Sequence, residues 1–334
     1  MFDRWFQTKL LDRSTTGTLP TGTQYAQVTV TLKAWNPIFP GLNADYNSAF
    51  ADNISFQVSG LDTPTPDPVV PVSNVGALDH VFMVYMENKG YDDIVGSANA
   101  PYLNSLINAY GFADNYYGLT HGSLPNYYPI VAGQDFGITY NCAAPCIDVS
   151  LDNTLVGRVD DKFGGTTSGT SWRSYAQSLS GDPLVSGNGY AVDETPFPAF
   201  TAIANNPAYA AEHIVPLEQM AIDLQSTTTT PKFAWFAADE DFNGEGPVSF
   251  PWGMLNFAWS QISPGHQYNV PALDQYLSEN VPTILNSASW KTTEVGCTTG
   301  TPDGCTNKSV VVITFDEDNN NLSLGFGNEG NHIV

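Results

Sequence analysis

Three clusters of polar residues contain the side chains that a cation-activated serine nucleophile requires. Glu87-Asn88 and Asp316–Asp318 each follow an apolar run directly, and Ser123 lies in the segment His121–Tyr127. A serine hydroxyl is a weak nucleophile until a base or a bound cation lowers its pKa. Carboxylate, amide and hydroxyl oxygens form a hard ligand set that suits Ca²⁺, Mg²⁺ or Mn²⁺, and Zn²⁺ is an alternative. The residue types therefore indicate a divalent metal site beside Ser123.

Apolar runs and helical spacing predict the elements that position these clusters. The runs Asp79–Met86, Pro231–Ala238 and Ser309–Phe315 are typical of strands buried on both faces of a parallel sheet, whereas Pro101–Tyr110 and Leu273–Trp290 have helical spacing. Their alternation predicts an α/β fold with a doubly wound, mostly parallel sheet. Such folds bind ligands beyond the carboxyl ends of strands, where the first and last clusters stand.

The first 76 residues have a different character. Residues 1–60 read as strands, with period-two alternation in Tyr25–Leu32, and Ala49–Val58 resembles the last strand of galactose-binding-like jelly rolls. We therefore expect 1–60 to be the C-terminal part of a β-sandwich module. Residues 61–76 are rich in proline and predict an extended linker. The remaining residues, 77–334, form the predicted catalytic domain.

Composition limits the classes of partner. The chain has 11 basic and 34 acidic residues and a net charge of −23, which argues against nucleic acid and anionic membranes as partners. It contains no run of 18 apolar residues, so we expect no transmembrane segment.

Cysteine spacing predicts the compartment. The pairs Cys142/Cys146 and Cys297/Cys305 favour two local disulfides over a zinc site and hence a secreted or extracellular protein. The N-terminus lacks the apolar core of a signal peptide, so we expect a fragment at both ends, with the catalytic domain truncated after Val334.

The ordered motifs resemble a known family: the phosphoesterases that contain bacterial phospholipases C and related acid phosphatases, within the alkaline phosphatase superfamily. The resemblance implies an alkaline phosphatase-like fold and hydrolysis of phosphate esters. The matching stretches, in family order, are Met86–Gly96, His121–Gln134, Ser171–Gln177, His213–Leu224, Thr314–Asp318 and the motif start Asn331–Val334.

The resemblance also implies roles for individual residues. Ser123 corresponds to the nucleophile, which forms a phosphoseryl intermediate that water hydrolyses. Asn88 is implied in metal or phosphate contact and Asn126 in phosphate binding. The implied metal ligands are Glu87, Asn88, Ser123, Asp316 and Glu317.

Other candidates rest on position alone, and the chain departs from the family at two places. His121 is a candidate phosphate contact or leaving-group acid, although a turn-stabilising role competes, and His332 is a candidate substrate contact. Glu194-Thr195-Pro196 stands where many relatives have His-Asn-Pro, and Phe242–Glu245 stands where they have Asn-Asp-x-His. Glu245 is a candidate substrate contact, or it could add a metal ligand; the site could also favour a less charged diester, or activity could be reduced.

Several functions remain open from the sequence. Taken singly, the three clusters are also compatible with a helix cap, a turn serine and a polar loop. The substrate could be a phosphate monoester or a diester such as a phospholipid headgroup. The main alternative is an inactive secreted surface protein whose β module binds glycan, and a sulfatase-like or phosphonate-directed activity is a third option.

Overall fold

The described residues all belong to the unit Val75–Val334. The computed structural model describes residues 78–163, 171–247, 255, 267–291, 308–318 and 331–334. The predicted β-sandwich fragment, the linker 61–76 and the pair Cys297/Cys305 lie outside these ranges. The predicted domain boundaries therefore stay predictions.

A five-stranded sheet forms the centre of this unit, and all its strand pairs are parallel. A separate two-stranded antiparallel sheet joins a loop to the last described residues. The strands are β1 His80–Met86, β2 Tyr116–Tyr117, β3 Trp172–Ala176, β4 Ile214–Pro216, β5 Phe233–Ala237, β6 Ser309–Phe315 and β7 His332–Ile333. The order in the large sheet is β4-β3-β5-β1-β6, which places β1 between β5 and β6.

Helices connect the strands and cover the sheet. The α-helices are α1 Tyr91–Ile94, α2 Pro101–Tyr110, α3 Ser123–Ala132, α4 Leu155–Phe163, α5 Thr201–Ala204, α6 Pro207–His213, α7 Met220–Asp223, α8 Val270–Leu285 and α9 Ala288–Lys291. Single 3₁₀ turns occupy Leu151–Asn153, Val192–Glu194, Phe197–Ala199 and Leu217–Gln219.

Two hydrophobic clusters lie on opposite faces of the sheet. On β1, Phe82 points into the cluster that contains α2 and α8, whereas Tyr85 points into the cluster that contains α3. On β5, Phe236 and Trp235 divide in the same way, as successive strand residues must. Helices therefore pack on both faces, and the predicted doubly wound α/β fold is confirmed.

The element boundaries largely follow the sequence pattern, with three differences. No helix was expected at Tyr128–Ala132, yet these residues form the second half of α3, and Gly133 is its C-terminal cap. The predicted helix Leu273–Trp290 is two helices, because the Ser287 hydroxyl accepts a hydrogen bond from Trp290 N–H (3.1 Å) and starts a new one. β6 is half-buried over its first five residues, because it is the edge strand of the described sheet. No helix in the described ranges is long and apolar enough to cross a membrane.

Candidate active site

The carboxyl ends of β1 and β6 bring the first and last polar clusters together. Met86 pairs with Phe315 in the parallel register, so Glu87-Asn88 and Asp316 leave the sheet side by side. Asn88 adopts a left-handed conformation (φ 53°), and its N–H donates to Asp316 Oδ1 at 2.8 Å. Two clusters separated by more than 220 residues in the chain thus come together at one edge of the sheet, as the ligand set implied by the family resemblance requires.

Ser123 reaches this site from the first turn of α3. Its hydroxyl donates to Glu87 Oε2 at 2.7 Å, and the Asn88 side-chain amide donates to the same oxygen at 3.0 Å. Gly122 immediately before the helix has φ 103°, a conformation that favours glycine and lets the chain turn sharply into α3. The nucleophile candidate is therefore held against a buried carboxylate at the N-terminus of a ten-residue helix.

Asn126 fixes the loop that leads into α3. Its Oδ1 accepts hydrogen bonds from the N–H groups of Leu119 (2.8 Å) and Thr120 (3.1 Å). Its Nδ2 donates to the carbonyls of Thr120 and Gly122 at 2.9 and 3.0 Å. Through these hydrogen bonds the side chain of Asn126, the predicted phosphate contact, holds the loop that leads to Ser123.

A disulfide-closed loop supports the same helix terminus. Asn141 Oδ1 accepts from Leu124 N–H at 3.0 Å, next to Ser123. The adjacent Cys142 is bonded to Cys146, as the sequence predicts for this pair, and the Tyr128 hydroxyl lies 3.0 Å from Cys142 Sγ. The loop therefore contacts α3 at its first turn and again at Tyr128.

His121 lies beside the carboxylates that follow β6. Its Nδ1 is 2.8 Å from Glu317 Oε2, which also accepts from Gly122 N–H (2.8 Å), and its Nε2 is 3.7 Å from Asp318 Oδ1. Burial lowers the pKa of His121, but the hydrogen bond with Glu317 and the charge of Asp318 outweigh burial and raise that pKa above its ordinary value. Burial raises the pKa of Glu317 to about 7, although the hydrogen bond with His121 opposes it. The pair can therefore hold and exchange a proton near neutral pH.

Two further carboxylates, those of Glu194 and Glu245, come from the loops where the family resemblance led us to expect histidines. Burial, followed by the charges of Asp316 and Glu194, raises the pKa of Glu87 well above its ordinary value. Burial and then the charge of Asp316 raise the pKa of Glu245 to about 7. Glu194 is held by the Asn243 side-chain amide at 2.8 Å, and Glu87 N–H donates to the Asn243 carbonyl at 2.9 Å. The loop after β5 is thus joined to the end of β1.

The donor set fits a divalent cation. Asp316 is completely buried, and its Oδ2 has no hydrogen-bonding partner, which is costly for a carboxylate unless a cation compensates it. Within the described ranges, no three His, Cys, Asp or Glu side chains form a ready-made metal site. The oxygens of Glu87, Asn88, Ser123 and Asp316 nevertheless converge through the contacts above, and together they offer the mixed hard ligands that Ca²⁺, Mg²⁺ and Mn²⁺ accept.

Lys89 is a component of the site that the sequence analysis did not single out. Its side chain is 1% exposed, and its ammonium donates to the Asn88 carbonyl at 2.7 Å. Burial lowers its pKa to about 8 against the opposing effect of nearby carboxylates, with Asp93 and Glu245 the largest contributors. The sequence does contain a signal that could have identified Lys89: it directly follows Glu87-Asn88, and a cation beside two predicted metal ligands is unusual.

His332 packs against two tyrosines. Its ring stacks between Tyr91 (centroids 4.3 Å apart) and Tyr117 (4.9 Å), and its Nε2 is 3.2 Å from the Asp114 carbonyl oxygen. Asn331 next to it binds both Asp318 and the Thr120 carbonyl. The structure thus ties the Asn331–Val334 motif to the loop before His121, and the substrate-binding role of His332 stays a prediction.

Comparisons with known proteins find distant relatives with phosphatase names. The chain is 24% identical over 255 residues to a phosphatidylinositol-3-phosphatase of Mycobacterium tuberculosis, a match that covers 76% of this chain and 68% of that protein. It is 39% identical over 76 residues to an acid phosphatase of Aspergillus fumigatus, which covers 21% of this chain and 16% of that one. No family model matches the sequence.

Comparison with solved structures finds a distant similarity. A putative sulfatase from Bacteroides thetaiotaomicron is 11% identical, with a TM-score of 0.37 over 72% of this chain and 58% of that one. The α/β architecture of the present chain rests on its own sheet and helices.

Proposed function

We propose that this chain is a metal-dependent phosphoester hydrolase in which Ser123 is the nucleophile. The observation that supports it most is the hydrogen bond from the Ser123 hydroxyl to Glu87 at the strand edge where Asp316 keeps an orphaned oxygen. The phosphatase names of the two distant relatives point to the same chemistry. The disulfide Cys142–Cys146 favours a secreted or extracellular location.

The proposed reaction consists of two displacements at phosphorus, the first by Ser123 and the second by water. Ser123 Oγ attacks phosphorus while its proton passes to Glu87, a carboxyl group that burial makes a better base. The bond from phosphorus to the leaving oxygen breaks, and His121 protonates that oxygen. In the second displacement, water gives a proton to His121 and attacks phosphorus, the bond from phosphorus to Ser123 Oγ breaks, and the proton on Glu87 returns to Oγ as phosphate leaves. The N-terminus of α3 favours the anion throughout.

A divalent cation would be held by Glu87, Asn88, Ser123 and Asp316, with Glu317 as a further candidate ligand. When bound, it supplies a positive charge that stabilises the transferring phosphoryl group. We propose a phosphate monoester as the first substrate class because both relatives are named as phosphatases. A diester such as a phospholipid headgroup is the second class to assay.

The proposal is tested by hydrolysis of p-nitrophenyl phosphate and bis-p-nitrophenyl phosphate, each with and without EDTA. We expect hydrolysis that EDTA abolishes and that Mn²⁺ or Mg²⁺ restores. Ser123→Ala should lose at least about a thousandfold in rate, the order of effect of removing a nucleophile.

Ser105→Ala is the matched control for this test. Ser105 is an exposed helix serine whose hydroxyl binds the Tyr102 carbonyl, so its removal should leave the rate unchanged. A folded, metal-supplied protein that hydrolyses neither ester, or a Ser123→Ala variant with full activity, would exclude the proposal.

A further inference from the structure

Lys89 is a buried cation whose placement the reaction scheme does not explain. An ammonium group can donate three hydrogen bonds, yet Nζ makes one, to the carbonyl of the neighbouring Asn88. Among the described residues it forms no other hydrogen bond and no ion pair. Burying a charge without close pairing is costly, so this position calls for a reason other than its own stability.

The surroundings of Lys89 supply that reason. Its ammonium is attracted by four carboxylates, namely those of Asp93, Glu245, Asp316 and Glu87. Two of these belong to the candidate cation site, and Glu245 comes from the loop after β5. One divalent cation would leave this group of carboxylates negatively charged, and a phosphate dianion would be repelled. Lys89 adds a positive charge where a second metal ion would otherwise be needed.

We propose that Lys89 is a fixed cation of the phosphate site, a positioning residue that takes the place of a second metal ion. It holds the left-handed turn at Asn88 through the carbonyl, and its charge weakens cation binding while it strengthens phosphate binding. The role deepens the proposed function and rests on it, but its electrostatic signature can be measured without turnover.

Opposite changes in two affinities distinguish this role from a purely structural one. Lys89→Met removes the charge and keeps an apolar side chain of similar length in the buried position. We expect the variant to bind Mn²⁺ on the order of tenfold more tightly, and inorganic phosphate on the order of tenfold more weakly in saturating Mn²⁺, as expected for loss of one unit charge near the ligands. Both constants are measured by isothermal titration calorimetry on the full chain.

Lys232→Met is the matched control, because it makes the same change in net charge at the opposite end of the sheet. Lys232 immediately precedes β5 and its ammonium lies over the Phe163 ring. Lys232→Met should leave the affinities for Mn²⁺ and for phosphate unchanged. Lys89→Arg, which keeps the charge, should return both affinities towards those of the wild type.

Parallel weakening of both affinities in Lys89→Met, or no change in either, overturns the proposal. If Lys89→Met does not fold, Lys89→Gln replaces it, because the amide keeps a donor for the Asn88 carbonyl while it removes the charge. The same opposite shifts must then appear, and their absence overturns the proposal. A wild-type protein that binds Mn²⁺ but hydrolyses no ester contradicts the proposed function instead, and the shift in Mn²⁺ affinity still tests the charge of Lys89.

Discussion

Two carboxyl groups near Ser123 have a raised pKa, so they keep their protons to a higher pH in the folded protein than they would in water. Burial raises the pKa of both Glu245 and Glu317 to about 7 from a reference value of 4.5. Between those two pH values the folded protein therefore binds more protons than the unfolded chain. A rise in pH through this window removes protons preferentially from the folded state and favours unfolding.

We expect the metal-free protein to lose stability as the pH rises from about 4.5 to about 7. The loss in the free energy of unfolding should be at least about 1 kcal/mol, the value of a single unit of pKa shift. Urea unfolding in EDTA at a series of pH values measures it. Saturating Mn²⁺ should recover the loss, because the cation compensates the ionised carboxylates.

Glu245→Gln should flatten this pH dependence, because the amide does not titrate. Glu279→Gln is the matched control, since Glu279 is exposed on α8 and binds only the Gln275 side chain. Stability in EDTA that rises with pH over the same window, or an unchanged slope in Glu245→Gln, would contradict the account.

The sequence identified the reactive residue types better than their partners. Glu87 and Asp316 became candidates because each directly follows a recognisable strand, whereas Ser123 became one through the family resemblance, since no helix was expected at α3. The buried cation Lys89 and the contact of Asn141 with α3 could not, because a side chain's burial and hydrogen bonds depend on segments far away in the chain. The hydrogen bonds of Asn126 with the loop before α3 were not predictable for the same reason, and its phosphate-binding role stays a prediction.

At the level of elements, the loop after β5 determines how closely the site is assembled. Gly244 has φ 113°, and a Cβ built on it would lie 2.4 Å from the Glu87 carbonyl oxygen. Asn243 beside it accepts the Glu87 N–H. Only glycine lets this loop approach the end of β1, and through that contact it places Glu245.

Gly244→Ala should therefore be strongly destabilising and should lower activity. The variant incurs the cost of an unfavourable backbone conformation, about 1–2 kcal/mol, and displaces the loop from Glu87 as well. Gly96→Ala provides the comparison, since Gly96 also has positive φ (78°) but no atom within 4 Å of the added Cβ.

Urea unfolding of Gly244→Ala and Gly96→Ala separates the cost of the backbone conformation from the cost of displacing the loop from Glu87. Gly96→Ala should lose only the backbone part and keep its rate of ester hydrolysis, while Gly244→Ala loses more stability and most of its activity. Equal losses of stability in the two variants would show that the close approach at Glu87 has no energetic importance.

Most strands and helices could be predicted from local sequence patterns. Pro101–Tyr110 and Ser309–Phe315 have the bounds that their spacing predicts, because apolar periodicity is a property of neighbouring residues. The break between α8 and α9 was missed, since it depends on one hydroxyl, that of Ser287, capping a new helix. The loop Asp239–Glu245 has no periodic pattern, and its position depends on tertiary contacts.

For the molecule as a whole, strand order is what creates the site. The neighbouring positions of β1 and β6 join Glu87 to Asp316, although more than 220 residues and three other strands of the same sheet separate them in sequence. Alternating strands and helices predict a parallel sheet but not this order, because non-local pairing leaves no local signature. The family resemblance implied that the two clusters meet.

The overall charge adds a constraint on function. A net charge of −23 opposes the approach of phosphate esters, so the local positive charges of Lys89, His121 and a bound cation must outweigh it at the site. Under the proposed function, a divalent cation held by Asp316 and the ammonium of Lys89 would supply that positive charge.

The proposed function requires that Ser123 becomes phosphorylated during turnover. Its most direct test is acid quenching of the full chain during hydrolysis of p-nitrophenyl phosphate in Mn²⁺, followed by peptide mapping with mass spectrometry. The account predicts one phosphoryl group on the peptide that contains Ser123, present in the wild type and lost in Ser123→Ala. Hydrolysis without any phosphopeptide across a series of quench times, or a phosphoryl group on another residue, would contradict it.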